Sequence, residues 1–363
     1  MLSSLGGLRE CLKSDRETWF SLSFGTVDLL SGAVSAFLLL PIIKHTPWVI
    51  SIFPILLTVR GAGNGIFSGV LSTSLHLGTI EPRFRGNTEQ YYSLIFSIYV
   101  ISVVNSFIAT ILVLLLFMSP RIALLLFFIM IVSMVMAVSF SIITTSIVGF
   151  AAFRKGLNPD TVLYPVMSTL NDVLISLFLL VAVIIIRPWD FDYAVIRGTI
   201  ICLVIALVLS FFALKFWRNT HFRKTTREGL MGVLYAIGAS SVAGYILSRL
   251  YDVFMTTPEY FVMLPLLMTV TGDVGSIMSS HYTTGLNLGE IEIESLEDTL
   301  SFLAKMMLSI AIPYTSVIFV GAIISAISTD SPLKTLPHLL VSSLLVGFSS
   351  ILFSVPLIIL ISY

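Results

Sequence analysis

Ten apolar stretches, each long enough to cross a bilayer, dominate the chain: 18–43, 47–76, 91–118, 122–153, 161–186, 193–217, 229–254, 259–288, 300–328 and 335–361. A hydrocarbon core about 30 Å thick takes about 20 apolar residues in a helix. In that solvent every backbone amide and carbonyl must find its partner inside a helix or a closed barrel. Barrel strands would read as alternating segments of about ten residues, and no such pattern is present. The expected fold is an all-α integral membrane protein of about ten transmembrane helices. Several stretches exceed the minimum, so tilt or breaks are expected. Charged residues make up 11% of the chain and hydrophobic ones 56%, against about 25% charged in a soluble domain. Net charge is zero with no basic run, so nucleic acid is not an expected partner. Cys11 and Cys202 stand apart, one in a polar segment and one in an apolar run, and suggest neither a disulfide framework nor a metal cluster.

Residues 1–17 are mixed in charge and amphipathic, without the basic start, apolar core and small-residue cleavage site of a signal peptide. They are expected to lie on the cytoplasmic membrane surface. Orientation follows from Lys and Arg in the short loops. With the N-terminus inside, twelve basic residues fall on the cytoplasmic side, among them Arg83, Arg85, Arg154 and Lys155, and six outside. The expected placement is a cell membrane, multi-pass, with the N-terminus cytoplasmic. Trp19, Trp48, Trp189 and Trp217 all fall at span ends, as interfacial anchors do.

The chain repeats itself. Pro54 to Glu81 reads PILLTVRGAGNGIFSGVLSTSLHLGTIE, and 211 residues later Pro265 to Glu292 reads PLLMTVTGDVGSIMSSHYTTGLNLGEIE; 13 of these 28 positions are identical without a gap. Apolar helices resemble one another by composition, but here Pro54/Pro265, Thr58/Thr269, Gly61/Gly272, Gly78/Gly289 and Glu81/Glu292 match as well. The shift maps the first span on the seventh, the third on the ninth and the fourth on the tenth. The first repeat is expected at 18–186 and the second at 229–363, with no copy of the fifth span before the sequence stops at Tyr363. Residues 187–228 are a linker holding one span and a basic cytoplasmic loop. That odd span makes the repeats parallel, related by a pseudo-twofold along the membrane normal.

Ionisable groups near the bilayer centre are costly and suggest function by default. At 1.5 Å rise per residue, Asp28, Arg60, Asn64, Asp172 and Asp273 all fall within roughly two turns of the midplane. One helix would not need this; a shared polar site would. Three carboxylates against one guanidinium leave negative charge for a bound cation or a proton to balance, unless Arg60 serves only as a structural ion-pair partner. An unpaired guanidinium at that depth is expensive, so Arg60 is expected to pair with Asp172 or Asp273. Oxygen ligands suit a hard ion such as Mg²⁺, which keeps most of its water. His76 and His281 lie at different depths and read as packing residues. Gly61–Gly65 and Gly272–Gly275 are expected to interrupt their helices, either for close packing or to expose backbone carbonyls. No nucleophile–base pair and no HExxH motif is present, so an enzyme is not expected.

At these residues the chain resembles the MgtE-type magnesium channels. Pro54 to Glu81, with Gly63-Asn64 in a Pro-led span, is similar to their second helix. Asn158 to Leu177, NPDTVLYPVMSTLNDVLISL, is similar to their fifth, pore-lining helix, in which Pro is followed four residues later by Thr and seven later by the pore Asp; Pro165, Thr169 and Asp172 keep that spacing. The doubled architecture looks like the solute-carrier branch, in which two MgtE-like units are fused. The resemblance implies that Asp172 holds a hydrated Mg²⁺ at the pore centre, with the Ser168 carbonyl one turn away and Asn64 facing the same pathway. No organic cofactor is implied.

Three functions are compatible with these residues: a divalent cation transporter, most simply for Mg²⁺; a proton- or Na⁺-coupled cation exchanger; and a non-transporting membrane scaffold or receptor. The partners expected are divalent cations and lipids, with a monomer made plausible by the internal duplication and a homodimer left open. The loop GEIEIESLED holds Glu290, Glu292 and Glu294 among five acids in nine positions. It reads either as a solvated connector or as a low-affinity Mg²⁺ site at the inner mouth.

Overall fold

In the computed structural model the residues described are 31–32, 34–35, 37–117, 119–156, 159–256, 264–265 and 267–268. The chain divides into Phe37–Val253 and a second unit formed by Met1–Ala36 with Phe254–Tyr363. The helices from residue 37 to residue 249 belong to the first unit.

Among the described residues, regular structure is helical throughout. Residues 37–45 form α1, followed by a 3₁₀ turn, Pro47–Ile52. Then come α2 (Phe53–His76), α3 (Glu89–Phe117), α4 (Pro120–Arg154), α5 (Pro159–Ile186), α6 (Phe191–Phe216) and α7 (Thr220–Arg249). Five helical segments are long and apolar enough to cross a membrane: Pro47–His76 and the helices α3, α4, α6 and α7. The expected spans thus appear as helices wherever the structure describes them from 47 to 249.

Local signals fix the ends. Proline stands in the first turn of α2 and of α4, where its missing N–H would have had no helical partner. Between α2 and α3, Gly78 and Gly86 adopt φ +70° and +66°, a left-handed conformation natural to glycine. Asn87 holds that loop closed: its Oδ1 accepts from the Glu81 N–H (3.0 Å) and its Nδ2 donates to the carbonyls of Glu81 (2.8 Å) and Arg83 (2.6 Å). Asp190 caps α6 through the Tyr193 N–H, and Asn219 caps α7 through the N–H groups of His221 and Phe222.

Two expectations are corrected here. The stretch Gly61–Gly65 does not interrupt its helix: α2 runs unbroken from Phe53 to His76. Gly61 and Gly65 meet open space, and a Cβ on Gly63 would lie 3.5 Å from Ser102 Oγ of α3, an ordinary van der Waals distance. The basic loop before the seventh span is also shorter than expected, because α7 begins at Thr220 and takes Arg223, Lys224 and Arg227 into its first turns. The Asn219 cap supplies the start signal.

Interhelix contacts give the directions. Gln90 donates to Ser74 Oγ (3.1 Å) at one end of the α2–α3 pair while Ser102 faces Gly63 further along, so these helices are antiparallel. Tyr91 donates to Ser146 Oγ (2.9 Å) and Phe107 meets Phe127, so α3 and α4 are antiparallel too. By contrast, Asn219 Nδ2 donates to Glu89 (3.2 Å) at the start of α3 and α7, and Phe117 meets Tyr245 near their ends. These two helices run parallel. Helix α2 packs against α3, α4, α5 and α7, and the spans of α2 and α4 are the most buried of the five. On the periphery, α6 buries little beyond Ala194, Gly198 and Phe216 and leaves Ile196, Ile200, Leu203, Leu207 and Phe211 exposed. Such a face suits hydrocarbon solvent.

Candidate functional site

The site lies midway along α2, a helix in which Arg60 stands alone among Lys, Arg, Asp and Glu. Arg60 is 8% exposed and Asp172, midway along α5, is 7% exposed. They are 112 positions apart in sequence, and Arg60 Nη2 donates to Asp172 Oδ1 at 2.5 Å. Of the two carboxylates expected as its partner, the arginine meets this one. The pair is a charge-assisted hydrogen bond held in low-dielectric surroundings, where it is strong and where either charge alone would be costly. The guanidinium is only partly satisfied: Arg60 Nε is buried with no hydrogen-bond partner among the described residues. One turn beyond Asp172, Ser176 Oγ donates to the Asp172 carbonyl (3.2 Å).

Asn64 lies one turn from Arg60 on α2 and is turned toward α4. Its Oδ1 accepts from Ser141 Oγ (2.9 Å) and from Thr145 Oγ1 (3.0 Å). Between Arg60, Gly63 and Asn64 of α2, Ile98 of α3 and Ser141 of α4 lies a cavity of about 10 Å³, about the space of one water. The structure therefore brings Arg60, Asp172 and Asn64 together at one level, with Asn64 engaged by α4 hydroxyls. Ser168 and Thr169 lie on α5, but their side chains are outside the described residues. Asp28, Asp273, Glu290, Glu292 and Glu294 are likewise outside them.

Among the described residues, no group of three or more His, Cys, Asp or Glu side chains comes together. A carboxylate with neutral oxygens nearby suits an ion that keeps its own hydration shell and is held through one or two carboxylates. Ser141 and Thr145 were not singled out in the sequence, where they stand among other hydroxyl residues of the fourth span, Ser139, Thr144 and Ser146. A further polar group on α3 was missed as well. Asn105 is 0% exposed, and its Nδ2 and Oδ1, together with Ser102 Oγ, have no hydrogen-bond partner among the described residues.

Comparison with known proteins accords with this geometry. No curated protein and no solved structure matches the chain. Residues 53–183, however, match the model of the MgtE family, described as divalent cation transporter. The match starts with the first residue of α2 and ends in the last turn of α5, so it encloses Arg60, Asn64, Ser141, Thr145 and Asp172 alike. The helices that build the site thus lie within a segment similar to the MgtE divalent cation transporter family.

Proposed function

We propose that this protein carries divalent cations, Mg²⁺ first among them, across the cell membrane along a polar pathway centred on Asp172. The observation that carries the proposal is a buried carboxylate at mid-helix within the MgtE-matched segment, paired with a buried arginine. Asn64 lies one helical turn from Arg60 and offers a neutral oxygen to a hydrated ion. In this reading the chain has ten spans in two parallel MgtE-like repeats, 18–186 and 229–363, joined by the linker 187–228, with the N-terminus inside. Asp273, Asp28, Thr169 and the Ser168 carbonyl complete the polar lining, and the acids Glu290, Glu292 and Glu294 concentrate Mg²⁺ at the inner mouth.

The ion pair favours a second version of this reading, a proton- or Na⁺-coupled exchanger. A site whose carboxylate already holds a cationic partner does not conduct as an open pore; its pair must separate in each cycle. The test is Mg²⁺ flux into liposomes containing the purified full chain, with and without a proton gradient. Wild type is expected to move Mg²⁺, and Asp172→Asn, which keeps the shape and removes the charge, is expected to lose most of that flux. Stimulation by the gradient selects the exchanger. Absence of any ion flux from folded wild type would leave a scaffold or receptor and overturn the proposal. Wild-type flux through Asp172→Asn would overturn the placing of the pathway.

A further inference from the structure

The Arg60–Asp172 pair raises a question of charge that the transport reading must answer. If a divalent cation binds at Asp172, the carboxylate carries one negative charge against three positive ones, two on the ion and one on Arg60. A guanidinium left in place would repel the ion from a buried site. It therefore needs somewhere else to go, and the destination must offer hydrogen-bond acceptors, because a guanidinium has five N–H donors and no acceptor.

The acceptors are on α3. Ile98, Ser102 and Asn105 follow the i, i+4, i+7 spacing of one helix face. The first two lie against Gly63 of α2, at 3.6 and 3.5 Å from where its Cβ would be. Because α2 and α3 are antiparallel, Asn105, less than one turn beyond Ser102, falls at the level of the α2 turn before Gly63, which is the turn of Arg60. The cavity beside Arg60 is lined by Gly63 and Ile98 as well, with Val138, Ser141 and Ile142 of α4 on its other side.

Ser102 Oγ, both polar atoms of Asn105 and Arg60 Nε are all buried without a hydrogen-bond partner among the described residues. Buried polar atoms are almost always paired, and orphans call for an explanation. An amide with neither of its polar atoms bonded is a poor structural residue, since an apolar side chain of that size would carry no desolvation cost. Here acceptor oxygens without donors and a donor N–H without an acceptor occur at one level of one helix pair.

We propose that Asn105, with Ser102 beside it, is the second seat of the Arg60 guanidinium, occupied when a divalent cation takes Asp172. This rests on the transport reading above. Arg60 is then a tethered cation that competes with the cargo for Asp172, and Asn105 is a positioning residue that sets how readily the competitor leaves. Ile98 and Ser102 of α3 lie at contact distance from Gly63, so the face of α2 that carries Arg60 is turned toward α3.

The test measures Mg²⁺ flux into liposomes containing the full chain as a function of external Mg²⁺, and reads the half-saturating concentration. Asn105→Leu removes the second seat, so Arg60 stays on Asp172 and the half-saturating concentration rises by about tenfold, the scale of a hydrogen bond to a charged group. Asn105→Asp makes the second seat an anion, draws Arg60 away, and lowers that concentration by a similar factor. Both shifts vanish when Arg60 is replaced in the same chain by Gln. A merely structural role would change the amount of folded transporter, and so the maximal rate, leaving the half-saturating concentration where it was. Shifts of equal size with and without Arg60, or no shift in either Asn105 variant, would overturn the proposal. If Asn105→Leu does not fold, Asn105→Asp alone decides it by the direction of its shift. Asp172→Asn separates this from the underlying reading. Flux retained there overturns both, whereas flux lost there with Asn105 variants unshifted overturns the second seat alone.

Discussion

Removing one partner of the Arg60–Asp172 pair should cost far more stability than removing both. Each side chain is about nine-tenths buried, so solvent screens neither. With charge centres about 4 Å apart and an effective dielectric constant of about 20, their attraction is about 4 kcal/mol. Asp172→Leu leaves a guanidinium on α2 whose Nε already lacks a partner, and Arg60→Met leaves a carboxylate on α5. Breaking a buried pair in this way costs about 3–5 kcal/mol, while replacing both partners by apolar residues is neutral or mildly stabilising. The double variant Arg60→Met/Asp172→Leu is therefore expected to be about 3 kcal/mol more stable than either single variant. The measurement is reversible unfolding in mixed detergent micelles, followed by far-ultraviolet circular dichroism on the four proteins of the cycle. Effects that add within about 0.5 kcal/mol would show two uncoupled side chains and refute the pairing. The cycle also separates folding from transport, since the stable double variant has no carboxylate at 172 and is expected to move no Mg²⁺.

Four other variants test packing, polar contacts and regulation. A Cβ on Gly244 would fall 1.8 Å from the Ser51 carbonyl oxygen, whereas one on Gly238 meets nothing within 4 Å. Gly244→Ala should therefore destabilise by about 1–3 kcal/mol through overpacking, and Gly238→Ala should be neutral or stabilise by up to about 1 kcal/mol, both read as thermal stability in detergent. Asn64→Leu removes the shared acceptor of Ser141 and Thr145 and should cost about 1–2 kcal/mol while lowering Mg²⁺ flux; unchanged flux would take Asn64 out of the pathway. Neutralising Glu290, Glu292 and Glu294 together should alter how internal Mg²⁺ affects flux without abolishing it. An unaltered response would make that loop a connector.

The parts of the fold that the sequence made legible are those governed by the bilayer itself. Ile, Leu, Val and Phe in runs of more than 20 residues admit helices alone, and the helices α2 to α7 lie where those runs lie. Arg60 and Asp172 were legible for the same reason. Each is an ionisable group at a depth where it is costly alone, and depth can be counted along the chain without knowing which helices touch. What was not legible depends on contact rather than depth. Ser106 and Thr110 satisfy their hydroxyls on the carbonyls of Ser102 and Ser106, so hydroxyl residues in an apolar run are usually self-sufficient and carry no message about neighbours. Ser141 and Thr145 could do the same, and the sequence does not say that Asn64 engages them. The parallel course of α3 and α7 is set by residues some 130 positions apart, and no periodicity within either helix encodes it.

The glycines of α2 show how a correct residue list can be attached to the wrong geometry. Gly61, Gly63 and Gly65 suggested a break because glycine is a poor helix former in water. Within a bilayer the alternative to the helix is a set of unpaired amides, and that cost exceeds the conformational one. The helix therefore continues, and what the glycines change is the surface of α2. Gly63 faces Ser102 and Ile98 of α3 at contact distance, and Gly61 and Gly65 meet open space. Arg60 stands less than one turn before Gly63. A long cationic side chain beside a packed neighbour has few directions to take. Here one direction leads to Asp172 on α5 and the other to the unpartnered oxygens of Ser102 and Asn105 on α3. The charge that marks α2 in the sequence and the glycines that seemed to weaken it thus belong to one unbroken helix, whose Arg60 and Gly63 share the face turned toward Ile98 and Ser102 of α3.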